Sequence, residues 1–183
     1  MNDYPAKSCA LTRFFITNPK SAPFWLVVRV YLGYEWLVAG WDKFNNPAWF
    51  GTEAGAAMQG FVQNALGKTV GAHPDVQLWY ASFLQNAVAN HLTFWSNAIT
   101  VGEILVGLGL IVGLCTATAA FWGAFMNLNF LLAGTVSINP IMLVLALGIM
   151  TAHRVSGSWG LDRYAQPFMA RWCNRSRGKH SPT

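Results

Sequence analysis

The sequence predicts an all-α protein: a polytopic membrane four-helix bundle with amphipathic interfacial helices between spans one and two. The composition is 54% hydrophobic and only 10% charged, whereas soluble domains carry about 25% charged residues. Four apolar stretches approach the roughly 20 residues that a bilayer-crossing helix needs. They cover residues 24–44, 94–114, 119–136 and 140–155. We interpret residues 1–183 as a single membrane domain.

The first span carries four charged side chains, Arg29, Glu35, Asp42 and Lys43. A charge within a span costs at least about 2.5 kcal/mol, so it normally faces a partner or a cavity. At 100° per residue, Arg29 and Lys43 share one stripe of the helix, and Glu35 and Asp42 share a second stripe roughly 120° away. We therefore expect the other helices to cover two polar seams.

The long segment 45–93 predicts two further helices rather than a loop. Asn45-Asn46-Pro47 ends the first span, Thr52 is a good N-cap for the next helix, and Gly67 is a natural C-cap. A second helix is expected to start at Pro74-Asp75. Both patterns are too polar on one side to span, so they are expected to lie on the outer membrane face, over the mouth of the bundle. The alternative is a small extramembrane subdomain.

The second span places Glu103 near the depth of Glu35. From the helical rise, Glu35 lies roughly 17 Å from the inner side and Glu103 roughly 14 Å from the outer side of a core about 30 Å thick. Two midplane carboxylates suit a proton relay, and the alternative is that they are neutral or paired links between helices. Gly109 and Gly113 form a GxxxG motif, which favours close helix packing.

The third span contains two amides, Asn127 and Asn129, which need partners on other helices. Histidines do not predict a haem site, because His91 and His153 are expected at opposite ends of the bundle. No cluster has metal-ligand spacing, so we predict neither haem nor metal. His91 continues an apolar helix face and is expected to pack in the core, with a proton-transfer role as the alternative.

Positive charge is concentrated before the first span and in a basic tail, residues 156–183. The positive-inside rule then places both termini in the cytoplasm and the segment 45–93 outside, and it explains the charge better than nucleic-acid binding does. Cys9, Cys115 and Cys173 would lie on the reducing side. Structural disulfides are therefore not expected, and an inert cysteine is favoured over a catalytic thiol.

Three motifs resemble those of a known family. They are Gly40-Trp41-Asp42-Lys43-Phe44, Gly102-Glu103-Ile104-Leu105-Val106-Gly107-Leu108-Gly109 and Gly160-Leu161-Asp162-Arg163. Over about residues 24–165 the chain is similar to the DoxX/DoxD family of small four-helix membrane proteins, and most similar to its DoxD subunits of thiosulfate:quinone oxidoreductase. The resemblance implies oxidation of two thiosulfates to tetrathionate, with quinone as electron acceptor, in a prokaryotic plasma membrane. It also implies membrane lipid as surroundings and either a DoxA-like small subunit or a homo-oligomer.

For this reaction, we assign roles to particular residues from their expected positions and their chemistry. Thiosulfate is a dianion and needs cations, of which Lys43 is reachable from outside, His91 is a helper, and Arg29 lies deeper and needs a cavity. Glu35, Glu103 and Asp42 would serve as the catalytic carboxylates, and the two glutamates would handle protons. Quinone would occupy an apolar slot with a few polar groups. The residues expected around it are Trp36, Trp41, Trp122 and Asn127.

Two other classes of function fit the same pattern. One is a non-enzymatic membrane scaffold that docks a soluble redox partner on the basic tail. The other is a small-molecule carrier whose midplane polar groups serve binding, although no two-fold repeat is evident in the sequence.

Overall fold

The computed structural model describes residues 10–164, and within this range the chain is all-helical, which confirms the predicted class. The basic tail beyond Tyr164, together with Cys9 and Cys173, lies outside the described residues. Eight α-helices occur in the described part of the chain. They are α1 (Ala10–Thr17), α2 (Ala22–Phe44), α3 (Ala56–Gly67), α4 (Leu78–Phe83), α5 (Leu92–Val112), α6 (Thr116–Leu132), α7 (Asn139–Thr151) and α8 (His153–Ser156).

The bundle consists of α2, α5, α6 and α7, the four segments that the sequence predicts as spans. α2 packs mainly against α5, and α6 packs mainly against α7. Their apolar faces meet in one core, in which Trp36 of α2 lies against Gly123 of α6 and Trp25 of α2 against Gly148 of α7. Its buried members are Ala22, Trp25, Leu32, Trp36, Val106, Leu110, Ala120, Ala124, Met142, Ala146, Ile149, Ala152 and Val155.

Glycines allow α2 and α5 to approach closely. A Cβ atom on Gly107 would stand 2.7 Å from the backbone nitrogen of Leu37, and one on Gly40 would stand 2.8 Å from the backbone nitrogen of Ile104. Gly33 is equally confined, 2.9 Å from the carbonyl oxygen of Gly107. No side chain larger than hydrogen fits at these points, so the two helix backbones are in direct contact.

The predicted GxxxG motif does not make this contact. Gly109 instead approaches α6, where a Cβ atom would lie 3.2 Å from the Cβ of Ala119. Gly113 ends α5 in the left-handed conformation, with φ at 72°. One glycine of the pair therefore packs against the neighbouring helix, and the other terminates its own helix.

The first insertion helix starts later than predicted. Thr52 is not its N-cap, because α3 begins at Ala56 and follows Gly55, whose φ is 109°. The start of α5 holds the preceding turns in place: the Ser96 hydroxyl donates to the Trp49 carbonyl at 2.6 Å, and the Thr93 hydroxyl donates to the Ala54 carbonyl at 2.9 Å. These tertiary hydrogen bonds override the local N-cap preference.

The second insertion helix also starts late, at Leu78, and is not separate from the second span. It passes through a π turn, Leu84–Val88, and a 3₁₀ turn, Ala89–His91, directly into α5. Both turns change the angular spacing of side chains. The apolar face of α4 therefore does not continue to His91, which is exposed, and the prediction that His91 packs in the core is wrong.

A second apolar core joins the insertion to one end of the bundle, which we term the cap end. The core combines α3 and α4 with residues at the adjoining ends of α5 and α6. Its buried members are Met58, Val62, Ala65, Val76, Tyr80, Ala81, Leu84, Val88 and Ala133. Lys68 Nζ adds a 2.7 Å hydrogen bond to the carbonyl of Gly134, in the turn after α6. The insertion thus packs directly on the bundle.

By length and composition, one helix in the described range 10–164 qualifies to cross a membrane, the continuous 35-residue helix Leu78–Val112. Asn139–Thr151 is apolar but shorter. α2 has 23 residues, but four of them are charged.

The close contact of α2 with α5 leads to a first prediction. We expect Gly107→Ala to destabilise the fold by about 1–3 kcal/mol, because the added methyl overlaps the backbone at Leu37. Gly60→Ala, on α3, has no atom within 4 Å of the new methyl and should gain up to about 1 kcal/mol from helix propensity. Thermal unfolding in detergent measures both changes. Equal melting temperatures for the two variants would contradict the close contact.

Candidate functional site

A buried ion pair joins α2 to α5. Lys43 Nζ donates to both carboxylate oxygens of Glu103, at 3.0 and 2.8 Å. The glutamate side chain is 1% exposed and the lysine side chain 20% exposed, and the ammonium also lies 5.3 Å from the centre of the Trp49 ring. This is the one salt bridge among residues 10–164. The carboxylate is removed from water, and Lys43 compensates its charge.

The glycine contact sets up this pair. Gly40 touches α5 beside Ile104 and the Cβ of Glu103. Lys43 comes three residues later, so it projects from the same side of α2. The first motif of the sequence supplies the lysine and the second supplies the glutamate. The sequence predicts that Glu103 serves either in a proton relay or as a paired link between helices. The observed hydrogen bonds from Lys43 to Glu103 connect α2 with α5, as a link does.

At the opposite end of the bundle, Asp162 caps the turn between α5 and α6. Its carboxylate accepts the backbone N–H groups of Cys115 at 2.6 Å and Thr116 at 2.9 Å. Its own N–H donates to the Gly113 carbonyl at 2.8 Å. The third motif therefore satisfies the amides that begin α6 and a carbonyl that ends α5. These groups would otherwise lack partners within their helices.

Arg29 completes this arrangement, which we call the capping joint (Arg29, Gly113, Gly160 and Asp162). The guanidinium is 1% exposed and donates to the carbonyls of Ser156 and, at a similar 3.3 Å, Trp159. It lies directly against Gly113 and Gly160, where no Cβ atom would fit. A cation at the end of α5 and a carboxylate at the start of α6 both complement the helix dipoles. Arg29 is thus far from the cap end.

The structure does not bring Glu35 to Glu103. Glu35 lies about 140° around α2 from Gly40, so it is on the side away from α5. It is partly exposed, beside the exposed Tyr31, and Asp42 is also exposed. The prediction that other helices cover both polar stripes of α2 is therefore wrong within this chain. The chain covers the stripe that carries Arg29 and Trp36 and leaves the second one open.

The four predicted quinone residues separate into three places. Trp122 is 52% exposed on the outer surface of α6, and Trp41 is 58% exposed on α2, stacked on Phe44. Trp36 and Asn127 are both buried inside the bundle. Of the four, Trp122 lines the large cavity described next.

A lateral groove of about 720 Å³ runs along α5 and α6. Its wall on α5 extends from Trp95 to Val112, a helix length of about 26 Å. The lining is almost wholly apolar, and several lining side chains are exposed on the outside of the bundle. The lining residues are Met58, Phe61, Tyr80, Phe83, Leu84, Val88, Trp95, Ala98, Ile99, Gly102, Leu105, Val106, Leu108, Gly109, Val112, Leu114, Cys115, Thr118, Ala119, Trp122, Phe125, Met126, Asn129 and Phe130.

Polar groups occur at the two ends of the groove. At the cap end, the Tyr80 hydroxyl contacts the carbonyl oxygen of Asn129 at 2.9 Å and its Oδ1 at 3.1 Å. Asn129 Nδ2 donates one hydrogen to the Phe125 carbonyl, which leaves its second hydrogen for a ligand. At the other end lie Cys115, a free exposed thiol, and Thr118. The sequence predicted that Asn129 needs a partner on another helix, but it did not identify Tyr80 as that partner.

The remaining candidate ligands are dispersed. Among the residues that the structure describes, no group of three His, Cys, Asp or Glu side chains could hold a metal ion. His91 precedes α5 at the cap end, and His153 follows α7 at the other end, the relative placement that the sequence predicted.

The described residues thus form a helical bundle with a lateral apolar groove. The chain belongs to the DoxX family: the family model matches residues 24–137, from the start of α2 to the turn before α7, and this family assignment makes it a membrane protein. The matched range contains both partners of the ion pair but not Gly160 or Asp162. No significant match was found among curated proteins or among solved structures.

The buried ion pair leads to a second prediction. Glu103→Leu leaves an uncompensated ammonium, and Lys43→Met leaves a buried carboxylate, so each single variant should lose about 3–5 kcal/mol of stability. The double variant, with neither charge, should recover most of this loss. A double-mutant cycle of thermal unfolding in detergent measures the coupling. Additive losses would show that the pair is not an energetic unit.

Proposed function

We propose that this DoxX protein is the quinone-reducing membrane subunit of a thiosulfate:quinone oxidoreductase of the DoxD type. Two thiosulfate dianions would join through a new S–S bond to give tetrathionate and two electrons. Quinone would take up those two electrons and two protons to give quinol. The groove between α5 and α6 is the observation that carries the proposal.

The groove suits an isoprenoid quinone in size and polarity. Its volume of about 720 Å³ falls within the usual range for ligand pockets, and its lateral opening admits a ligand from the lipid phase. The aromatic side chains of Trp122 and Phe125 offer surfaces for a quinone ring. The second amide hydrogen of Asn129 would donate to one quinone carbonyl. Tyr80 holds this amide in position.

Thiosulfate would bind at the cap end, where Lys43 retains 20% exposure. Because Glu103 already neutralises the lysine, the dianion would compete with that carboxylate for the ammonium. Protonation of Glu103 would remove the competition and would free Lys43 for the substrate. Gly102 lines the groove next to Glu103 in the chain, so the proposed proton carrier and the proposed quinone site share one turn of α5. The exposed His91 would assist binding.

The proposal places α2, α5, α6 and α7 across the membrane, with both termini in the cytoplasm. Their lengths of 23, 21, 17 and 13 residues correspond to roughly 35, 32, 26 and 20 Å of helix, and α8 extends the path of the shortest one. Exposed apolar side chains occur on all four helices, including Val27, Leu105, Phe121 and Val144. Such side chains suit contact with lipid.

The charged side chains in the interior make contacts that hold the fold together. This observation favours a second candidate function, a non-enzymatic scaffold. Glu103 is paired, Arg29 is bonded to backbone carbonyls, and Asp162 caps α6. On this hypothesis the groove holds a lipid tail, and a soluble redox partner docks on the basic tail.

A third prediction concerns the groove and distinguishes the two candidate functions. Ala98→Trp should fill its cap end and raise the apparent KM for a soluble quinone analogue at least tenfold, without lowering the melting temperature, because Ala98 is exposed. The matched control is Val144→Trp, on the exposed face of α7 outside the groove. Steady-state quinone reduction after thiosulfate addition, with and without a DoxA-like subunit, measures the effect.

An unmodified protein that reduces no quinone under either condition would favour the scaffold. Equal effects of the two tryptophans would remove the groove from the reaction while leaving the family assignment intact.

A fourth prediction concerns orientation. In a variant whose three native cysteines are serine, Gln63→Cys on α3 should react with a membrane-impermeant maleimide in intact cells, and Arg154→Cys on α8 should react only after lysis. Both positions are exposed in the structure. The reverse labelling pattern would place the cap in the cytoplasm and would require thiosulfate to bind from that side.

A further inference from the structure

Several buried polar atoms among residues 10–164 lack a hydrogen-bond partner, and those of Asn127 and Trp36 lie inside the bundle. Asn127 on α6 is 0% exposed, and neither its Oδ1 nor its Nδ2 atom has a partner among residues 10–164. Trp36 on α2 is 2% exposed, and its indole Nε1–H is also unpartnered within that range. Buried donors and acceptors are nearly always satisfied, by protein or by ordered water. These groups therefore indicate a ligand.

The Trp36 side chain of α2 packs on the surface of α6 that carries Asn127. The Trp36 Nε1 atom lies 2.9 Å from the position that a Cβ on Gly123 would occupy, and the indole is 6.4 Å from the ring centre of Phe130. Gly123, Asn127 and Phe130 follow helical spacing i, i+4, i+7 and form one stripe. The indole contacts both ends of this stripe, so Asn127 lies on the part of α6 that the indole covers.

Another buried tryptophan of the chain makes the indole hydrogen bond that Trp36 lacks. Trp25, also on α2, is 8% exposed, and its Nε1–H donates to the carbonyl of Phe15 at 2.7 Å. Trp36 is more deeply buried and makes no such bond. Gly123 allows its Nε1 atom to approach the backbone of α6 closely, because a Cβ atom on this glycine would stand 2.9 Å from it.

We propose that Trp36 and Asn127 bind an internal water molecule between α2 and α6. The water oxygen accepts the Trp36 Nε1–H and one hydrogen of Asn127 Nδ2, and a water hydrogen is donated to Asn127 Oδ1. Water is the ligand class that matches, because it offers both acceptors and donors in the smallest volume. An anion would leave Oδ1 without a donor and would lie near the Glu103 carboxylate.

The water site has a definite place in the bundle. Gly109 meets Ala119, and Gly102 meets Met126, so the register of α5 against α6 puts Asn127 at the level of Glu103. The ion pair between α2 and α5 and the water between α2 and α6 then form a polar layer at the level of Glu103. This inference does not depend on the proposed quinone chemistry.

Hydroxyl-radical labelling by X-ray radiolysis tests the site in the intact protein in detergent, because the radicals form from bound water as well as from bulk water. We expect oxidation of Trp36 to exceed that of Trp25 in peptide mass spectra, although Trp25 is the more exposed of the two. Asn127→Leu should reduce Trp36 oxidation to the Trp25 level. Equal protection of both tryptophans in the unmodified protein would overturn the proposal.

Thermal unfolding gives an independent measurement. With a shared water, Trp36→Phe and Asn127→Leu each lower the melting temperature, and the double variant loses less than the sum. The control pair, Asn127→Leu with Tyr80→Phe, should be additive, because Tyr80 bonds to Asn129 instead. A higher melting temperature for Asn127→Leu, or additive losses with Trp36→Phe, would show that the interior is dry. If Asn127→Leu does not fold, Asn127→Val replaces it in both measurements.

Discussion

The position of α2 against α5 depends on one constraint, the buried carboxylate of Glu103. A glutamate that is 1% exposed needs a compensating cation, and Lys43 provides it at 2.8 Å. The pair forms only in one register of the two helices, in which Gly40 contacts Ile104 and Gly107 contacts Leu37. Any sliding of α2 along α5 would separate the charges and force backbone atoms into side chains. The electrostatic and steric requirements therefore specify the same arrangement.

The capping joint applies a similar constraint further along α2, towards its start. Arg29 lies 14 residues before Lys43, which is about 21 Å along the helix, and it binds the carbonyl of Ser156, which ends α8, and that of Trp159 beyond it. One helix thus carries two widely separated cations, and each cation is held by a different part of the chain. Asp162 lies at the same place because its carboxylate accepts a backbone N–H group at the start of α6. The three motifs that resemble the family are consequently contacts that hold the bundle together, and they say little about its substrate.

The features with most scope for chemistry lie on α5 and α6, away from the capping joint. α5 presents Glu103 to the interior and Gly102 to the groove. α6 presents the buried Asn127 inward, and Trp122 outward into the groove. A ligand in the groove would therefore be separated from the buried polar layer by the thickness of one helix. A change in the charge of Glu103 would alter the electrostatic potential in the groove across this short distance, because the interior screens charge poorly.

The sequence by itself determined the all-helical class, the four bundle helices to within a few residues, and the grouping of Arg29 and Trp36 on one stripe of α2, because hydrophobic periodicity is local. Which groups meet is not local. The pairing of Lys43 with Glu103, the exposure of Glu35 and the separation of Trp41 from Trp122 depend on helix rotation and register, which contacts such as Gly40–Ile104 set. His91 likewise lies outside the core, because the π and 3₁₀ turns before α5 change the direction of its side chain. Tertiary structure decided these points because each depends on an atom that is distant in the chain.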